Sequence, residues 1–175
     1  EQNLLDDRLS VGATYFRRTS DDTIIFSFTS FQSENIARTR AEGVEVSLNL
    51  RPDDRLTLSA QYSLVDATSR SPDGSFGNRL ARRPKDSASF SVDWTSPWGP
   101  TLGTVITITG DSFDDLANSS RIDGFVLASI HGTVPVTKEV ELFGRIDNLF
   151  DEKYETVRGF GTLGRNAFIG VRVRY

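Results

Sequence analysis

The chain has no cysteine, a single histidine and no long apolar run. Without cysteine, disulfide bonds and thiolate-ligated metals are excluded, and the redox compartment stays open. No apolar stretch approaches the roughly 18 residues that a membrane-spanning helix needs, whereas a spanning β-strand needs only about ten alternating residues. A membrane location would therefore have to depend on strands.

The chain also lacks a block of one charge. It carries 20 Lys and Arg against 24 Asp and Glu, a formal net charge of −4, and no run of Lys and Arg exceeds two residues. Nucleic-acid-binding domains concentrate basic residues on one face or in one run. We therefore expect no nucleic-acid partner.

Strict alternation of apolar and polar residues is the main pattern present. "GVEVSLNL" at 43–50 and "LTLSAQYSL" at 56–64 place an apolar residue at every second position. Because side chains alternate between the two faces of a strand, both segments are predicted strands with one apolar face. The same alternation occurs at 88–94, 101–110, 125–134, 140–146 and 167–175. No segment shows a sustained helical period, so the chain is predicted to be all-β.

The connections between these strands alternate in length. The short ones are "RPDD" at 51–54, "SPWGPT" at 96–101 and "PVTK" at 135–138, and the long polar ones lie at 31–35, 68–79, 110–121 and 150–164. An antiparallel up-and-down meander with two unlike ends gives this pattern. Outer-membrane β-barrels have short periplasmic turns and long extracellular loops.

Counting back from a last strand that runs toward the periplasm places every short turn on the periplasmic side. The count gives about eight strands of an antiparallel up-and-down transmembrane β-barrel segment. The region from Arg8 to about Ser30 is too long for one regular crossing. We expect one bulged strand there that projects beyond the bilayer, with a split into two strands, nine in all, as the alternative.

Alternation alone fits both a membrane barrel and a soluble β-sandwich that buries its apolar face. The polar positions hold small neutral residues such as Ser47, Thr57 and Ser89, which suit a hydrated lumen. Trp98 in a short turn and Trp94 near a strand end stand where an interfacial aromatic belt would place them. These features favour the barrel and leave a secreted sandwich as the alternative.

The stretch "RIDNLFDEKYETVRGFGTLGRNAFIGVRVRY" at 145–175 resembles the C-terminal end of TonB-dependent outer-membrane receptors. In that family a strand ending in Asn-Leu-Phe-Asp precedes a Tyr-containing loop, a Gly-Arg and a last strand that closes on an aromatic residue. Segments 4–18, 35–67 and 79–94 resemble the same family in the same order. The chain is similar to the cobalamin and ferric-siderophore receptors.

The resemblance implies that residues 1–175 are the C-terminal part of a 22-stranded barrel whose plug domain and N-terminal strands are absent from this sequence. It implies energised import of a scarce nutrient, a ferric siderophore, cobalamin or a similar chelate, with TonB acting through the plug. Such an arc has two open edges that a bilayer does not tolerate, so we expect the remainder of the receptor to complete it. Glu1 in place of a start methionine also fits a fragment or processed product. A self-contained small outer-membrane barrel, structural or adhesive, is the alternative.

The last strand resembles the signal that the barrel-assembly machinery reads in this family. Gly170, Val173 and Tyr175 match its pattern, whereas Phe168 stands where a polar residue is usual. An exposed strand with unpaired backbone groups can add to the sheet edge of the assembly machinery. The alternative is that Tyr175 is only an interfacial aromatic residue.

The resemblance also implies that a small chelate docks against the extracellular loops and the plug. The candidate contact residues are Arg79, Arg82, Arg83, Arg158, Phe160 and Arg165. Arginines bind anionic groups bidentately, and an aromatic ring covers an apolar face. The alternative is that these arginines, at the bases of the loops, bind lipopolysaccharide phosphates or pair with Asp and Glu residues of the lumen. The residues fit cobalamin, a siderophore, haem or a sugar equally.

We predict no catalytic residue, no cofactor and no metal site. The one histidine, His131, falls on the polar face near the periplasmic end, away from the long loops, and hydrolysis needs a nucleophile beside a base. Asp111, Asp114 and Asp115 cluster, but their spacing matches no defined calcium loop. We expect a solvated loop there, with a calcium site as the alternative.

Overall fold

One antiparallel sheet dominates the computed structural model, which describes residues 2–27, 30–72 and 75–174. The strands are β1 (Gln2–Leu4), β2 (Leu9–Ser27), β3 (Gln32–Asp53), β4 (Leu56–Ser69), β5 (Asp86–Thr95), β6 (Thr101–Thr109), β7 (Ser112–Phe113), β8 (Arg121–Ile122), β9 (Phe125–Pro135), β10 (Val140–Asp147) and β11 (Asn166–Val173). Nine of them form the sheet in the order β1-β2-β3-β4-β5-β6-β9-β10-β11, and β7 pairs with β8. The described residues contain no helix long and apolar enough to cross a membrane.

The strands of the sheet neighbour one another in chain order, and each pair is antiparallel. The predicted meander is therefore confirmed. Connections 54–55, 96–100 and 136–139 share one end of the sheet, the short-turn end. Connections 70–85, 110–124 and 148–165 share the other, the long-loop end.

β3 extends further than the sequence predicted, and β2 is one continuous strand within the predicted region. They keep one register from Leu9 opposite Leu50 to Ser27 opposite Gln32, so both the predicted bulge and the alternative split are wrong. Residues 32–35, predicted as loop, continue β3 because the β-branched and aromatic "IIFS" of β2 pairs with them. The ninth strand of the sheet is instead the short β1, which pairs with Leu9–Val11.

The turn between β3 and β4 is shorter than the four residues predicted. Arg51, Pro52 and Asp53 belong to β3, and the register with β4 shifts between Leu50 and Asp53. The Asp53 carboxylate accepts hydrogen bonds from the backbone N–H groups of Arg55 (2.8 Å) and Leu56 (2.9 Å). This local side-chain acceptor closes a turn of only two residues, 54–55.

The alternating apolar residues lie on one face of the sheet and remain exposed. Val46 lies opposite Ala13 and Tyr62, and the same row continues through Ala88 and Ile108. Val46 is 40% exposed and Ile108 46% exposed. Among the described residues, the buried apolar side chains are Ala67, Ile122 and Ala128. A soluble sandwich would bury this face against a second sheet, so that alternative does not fit.

Side chains on the polar face pair across strands over glycines. His131 Nε2 lies 2.9 Å from Asp93 Oδ1, and Gly103 stands between them in the row. A Cβ atom at Gly103 would overlap both side chains. The predicted position of His131, on the polar face near the short-turn end, is confirmed. Its imidazole is a cross-strand partner of a carboxylate.

The polar face of β10 and β11 carries two arginine–aromatic pairs. The Arg145 guanidinium lies 4.7 Å from the Phe168 ring centroid, and that of Arg172 lies 5.5 Å from the Phe143 centroid. The Phe143 ring covers Gly170, where a Cβ atom would overlap it. Gly170 thus leaves room for an aromatic ring, and Phe168 supports an arginine in place of the polar residue that is usual there.

The predicted assembly signal lies on β11, which forms one edge of the sheet. Val173 pairs with Val140 and is 60% exposed on the apolar face, whereas Tyr175 lies outside the described residues. On the other edge of the sheet, β1 pairs only with Leu9–Val11 of β2. Within the described residues, the rest of that edge of β2 and the free edge of β11 have no strand partner.

Replacing Gly170 by alanine should destabilise the sheet. The new methyl group would displace the Phe143 ring and its contact with Arg172, at a cost of about 1–3 kcal/mol in the free energy of unfolding. Gly161→Ala is the matched control, since nothing lies within 4 Å of a Cβ there, and it should change stability by less than about 0.5 kcal/mol. Urea unfolding followed by tryptophan fluorescence measures both. Equal effects would contradict the packing described for Gly170.

Candidate functional site

The first two long connections are joined by arginine–carboxylate pairs. Arg82 Nε donates to Asp114 Oδ1 at 2.8 Å, and the Arg82 backbone N–H donates to the Phe113 carbonyl at 2.6 Å. Arg79 donates to Asp111 twice, to Oδ2 at 3.1 Å and to the carbonyl at 2.8 Å. The Arg82 and Asp114 side chains are only 25% and 16% exposed. Both arginines therefore bridge connections 70–85 and 110–124.

Two asparagines strengthen this bridge. Asn118 Oδ1 accepts the Arg79 backbone N–H at 2.8 Å, and its Nδ2 donates to the Arg79 carbonyl at 2.9 Å. Asn118 has φ 57°, a left-handed conformation that asparagine adopts more readily than most residues. Asn78 Nδ2 donates to the Leu116 carbonyl at 3.0 Å. Connections 70–85 and 110–124 thus form one hydrogen-bonded unit.

The acidic residues of 111–115 are occupied by protein donors. Burial raises the pKa of Asp115, but hydrogen bonds from Ser119 and from the Ser120 backbone outweigh it and hold that pKa below its usual value. Asp111 and Asp114 pair with arginines. Nowhere in the described ranges do three or more His, Cys, Asp or Glu residues gather to hold a metal. The three carboxylates of the calcium alternative are thus engaged by donors of the protein itself.

The Asn-Leu-Phe-Asp motif at 148–151 ties together the base of the third long connection. Asn148, only 5% exposed, accepts the Glu152 N–H at 2.8 Å and donates to the Glu152 carbonyl at 2.9 Å. Asp151 Oδ1 accepts the Arg165 N–H from the far end of the loop at 2.8 Å. Asn148 and Asp151 have φ 50° and 58°, which asparagine and aspartate tolerate. The motif therefore ends β10 and closes the loop.

A groove of about 1010 Å³ lies between residues 121–124 and 151–164. The Tyr154 ring packs against Phe125 with 4.4 Å between ring centroids. Arg158 Nη1 donates to the Arg121 carbonyl at 3.2 Å, and the Arg158 N–H lies 3.4 Å from Asp114 Oδ1. The third connection thereby meets the unit formed by the first two.

The lining of the groove carries both signs of charge. Its cationic residues are Arg121, Lys153 and Arg158, and its acidic residues are Asp123, Asp151, Glu152 and Glu155. Arg121 Nε lies 3.6 Å from the lining carboxylate of Asp123 and 3.8 Å from that of Asp111, which is outside the lining. With an aromatic wall and donors beside acceptors, the groove suits a mixed polar ligand with an apolar part more than a purely anionic one.

A family model described as "TonB dependent receptor-like, beta-barrel" matches residues 2–149. The chain belongs to this family. TonB-dependent receptors are outer-membrane β-barrel proteins.

Solved receptors of this kind share the fold. The siderophore receptor PiuA from Acinetobacter baumannii gives a TM-score of 0.81 at 23% identity, over 99% of this chain and 27% of that one. The ferric yersiniabactin uptake receptor FyuA from Yersinia pestis gives 0.76 at 17% identity, over 95% and 27%. The copper transporter OprC gives 0.78 at 21% identity, over 95% and 28%. The chain spans about a quarter of the length of these structures.

The structure separates the six predicted contact residues. Arg158 lines the groove. Arg79 and Arg82 use their guanidinium groups to hold the receptor's own loops together. They pair with acidic residues, as the alternative expected, but with aspartates of a long loop and not with acidic residues of the lumen. Arg83, Phe160 and Arg165 are exposed outside the groove lining. Arg165 also donates its backbone N–H to Asp151.

Sequence reasoning missed Arg121 and Tyr154 as groove residues. Tyr154 lies within the motif that carries the family resemblance, but only its packing against Phe125 of β9 shows that it forms a wall. Arg121 belongs to the two-residue strand β8, which is too short for alternation to reveal. Neither position carries a local signal, because connections 110–124 and 148–165 build the groove together.

Arg82→Ala should loosen the loop unit. It would leave the largely buried Asp114 carboxylate without its partner and cost about 1–3 kcal/mol in the free energy of unfolding. Arg83→Ala removes the same charge at the neighbouring, exposed position and should cost less than about 0.5 kcal/mol. Hydrogen exchange over 110–124 should accelerate only in the Arg82 variant. Equal exchange in both variants would mean that the ion pair does not order the loops.

Proposed function

We propose that residues 1–175 are the C-terminal part of an outer-membrane receptor that imports a chelated nutrient, in the first place a ferric siderophore, by TonB-dependent transport. The observation that carries this proposal is the family match over residues 2–149, on a sheet whose apolar face is exposed across its strands. Such a face requires lipid, and a polar opposite face suits a hydrated lumen. The self-contained small barrel would need β2 and β11 to pair with each other.

The orientation follows from the two ends of the apolar face. Trp94 and Trp98, 43% and 85% exposed, lie at the short-turn end, which we place in the periplasm. Toward the long-loop end, the Tyr62 hydroxyl donates to Asp86 Oδ1 at 2.6 Å, with its ring on the apolar face. Aromatic residues with one polar end favour membrane interfaces, so the two tryptophans mark the periplasmic boundary of the lipid-facing band, and the Tyr62 hydroxyl points from that band toward the opposite boundary.

The open edges of β2 and β11 call for further strands of the same receptor. The plug would then fill the polar lumen and receive energy through TonB, while lipid and lipopolysaccharide surround the wall. Gly170, Val173 and Tyr175 are the proposed signal for the barrel-assembly machinery. The aromatic cover over Gly170 and the exposed apolar Val173 suit a strand that pairs before the barrel closes.

The cargo class rests on the groove and on the solved relatives. Those relatives are a siderophore receptor, a ferric yersiniabactin uptake receptor and a copper transporter. Two of the three names refer to iron chelates, which supports a ferric siderophore as the cargo, with cobalamin as the alternative. We propose that Arg158 contacts the chelate and that Arg83, Phe160 and Arg165 lie close enough to its path to contribute. Arg79 and Arg82 position the loops.

Uptake of a radiolabelled ferric siderophore into cells that carry only this receptor tests the proposal. We expect uptake that needs TonB and weakens in an Arg158→Ala receptor mainly through a higher KM, since ligand binding is lost and not the transport step. Arg55→Ala, in the short turn at the other end, is the control and should behave like the wild type. Uptake of unchanged rate in cells without TonB would refute the energised mechanism.

The lipid-facing orientation has its own test. Val46→Arg and Leu58→Arg place a charge on the apolar face and should each cost about 2–4 kcal/mol in a membrane-refolding assay if they lie at mid-bilayer. Ser47→Arg is the control for Val46, because the adjacent residue points to the polar face. Equal tolerance of arginine at both positions would reject this orientation.

A further inference from the structure

The apolar face changes character abruptly toward the long-loop end. Its last apolar row contains Tyr15, Val44 and Leu64. The rows beyond it on the same face are Arg17–Glu42–Asp66, Thr19–Arg40–Thr68 and Asp21–Arg38–Arg70. Four arginines and three acidic residues therefore replace the apolar side chains within three rows.

Arg17 and Arg40 flank Glu42, and together with Arg70, which follows β4 beside Arg38, we name them the arginine cluster. Arg40 Nη2 pairs with Glu42, and Arg17 Nε lies 3.9 Å from the same carboxylate. The Arg70 guanidinium lies 5.3 Å from the Phe76 ring centroid. Arg38 instead pairs with Asp21 at 2.8 Å. Glu42 thus provides the one carboxylate that both Arg17 and Arg40 approach within 4 Å.

The cluster offers more hydrogen-bond donors than its carboxylate can accept. Each guanidinium carries five N–H groups. The Nε atoms of Arg40 and Arg70 are buried with no acceptor, so an external anion would meet these two side chains through their terminal Nη groups. The Arg17 side chain is 57% exposed and that of Arg40 27% exposed. Planar guanidinium groups with spare donors match the oxygens of a phosphate, which they bind bidentately.

The position of the cluster indicates where that phosphate comes from. Successive rows on one face lie about 6.6 Å apart along a strand, which is about 5 Å of height at the usual tilt of barrel strands. The headgroup layer adds about 5–8 Å to each side of the hydrocarbon core. In the proposed orientation, the Arg17–Glu42 row thus lies about 5 Å above the last apolar row, at headgroup depth on the outside of the wall. Arg40 belongs to the next row, but its guanidinium pairs with Glu42 and so reaches the same depth. Cargo in the lumen does not reach them.

We propose that the arginine cluster binds the phosphorylated headgroup of an outer-leaflet lipid, with Glu42 as a positioning residue that holds Arg40 and Arg17. The inference rests on the proposed membrane orientation. Phosphate oxygens accept from the guanidinium groups of Arg17, Arg40 and Arg70, and the acyl chains of the lipid lie against the apolar row of Tyr15, Val44 and Leu64.

The test titrates the complete receptor, purified in a non-ionic detergent, with lipid A that carries both phosphates, and follows complexes by native mass spectrometry. Arg17→Gln with Arg40→Gln should weaken binding by about tenfold or more, since two charge-assisted contacts are lost. Arg18→Gln with Arg51→Gln is the matched control. It removes the same charge from β2 and β3, but Arg18 lies on the opposite face and Arg51 lies at the short-turn end, beyond the Leu9–Leu50 pair, so this variant should bind as the wild type does.

Two further arms identify the source of the phosphate. Dephosphorylated lipid A should bind the wild type and the glutamine variant alike, and excess inorganic phosphate should not displace the phosphorylated lipid. Displacement would mean a site for free phosphate and would overturn the lipid assignment. Equal affinity of the wild type and the glutamine variant for phosphorylated lipid A would overturn the site itself.

If the glutamine variant does not fold, a variant that keeps the positive charges still tests the proposal. Arg17→Lys with Arg40→Lys keeps both charges but lacks the bidentate fork, so its affinity should fall between that of the wild type and the glutamine variant. Lysine affinity equal to the wild type would overturn bidentate recognition. If Val46→Arg impairs membrane refolding but lipid A binds the glutamine variant as tightly as the wild type, only this inference fails. If Val46→Arg and Ser47→Arg are tolerated equally, the proposed orientation fails first.

Discussion

The unbroken register of the sheet is the constraint on which the rest of the structure depends. Strand side chains alternate with a period of two, so a slip of one residue would move every apolar side chain of that strand to the polar face. β2 and β3 hold one register over their whole length, from Leu9 opposite Leu50 to Ser27 opposite Gln32, and β4 continues the same rows up to Leu58. An apolar face, a polar face and two unlike ends all follow from this registration.

Two contacts on the polar face help to fix that register, because each of them needs a position without a side chain. The Asp93–His131 pair passes over Gly103, and the Phe143 ring lies over Gly170. A slip by one position would bring a side chain under each contact. On the apolar face one apolar residue can replace another, whereas these positions of the polar face require glycine. The two faces therefore contribute differently: one sets the environment of the sheet and the other its alignment.

Local periodicity predicted the strands, their directions and the position of His131, because alternation is visible within one strand. It failed where a distant partner decides. Residues 32–35 are polar and were predicted as loop, yet they pair with β2. The Arg82–Asp114 pair joins residues 32 positions apart, and the sequence indicated Arg82 as a candidate ligand contact and Asp114 as a member of an acidic cluster, without linking the two. The Asn-Leu-Phe-Asp motif was recognised by resemblance, but its physical role, the closure of a loop by Asn148 and Asp151, needs the fold.

The number of available carboxylates decides what each group of arginines does. At the long loops, Arg79 and Arg82 each have an aspartate of their own, so their donors are satisfied and they order the protein. On the apolar side of β2, β3 and β4, Arg17 and Arg40 share Glu42, and Nε atoms of Arg40 and Arg70 lack an acceptor. A guanidinium with spare donors near an apolar surface is stabilised by an external anion more than one already paired. Similar residue types at the same end of the sheet thereby divide into loop-ordering arginines and arginines that can bind an external phosphate.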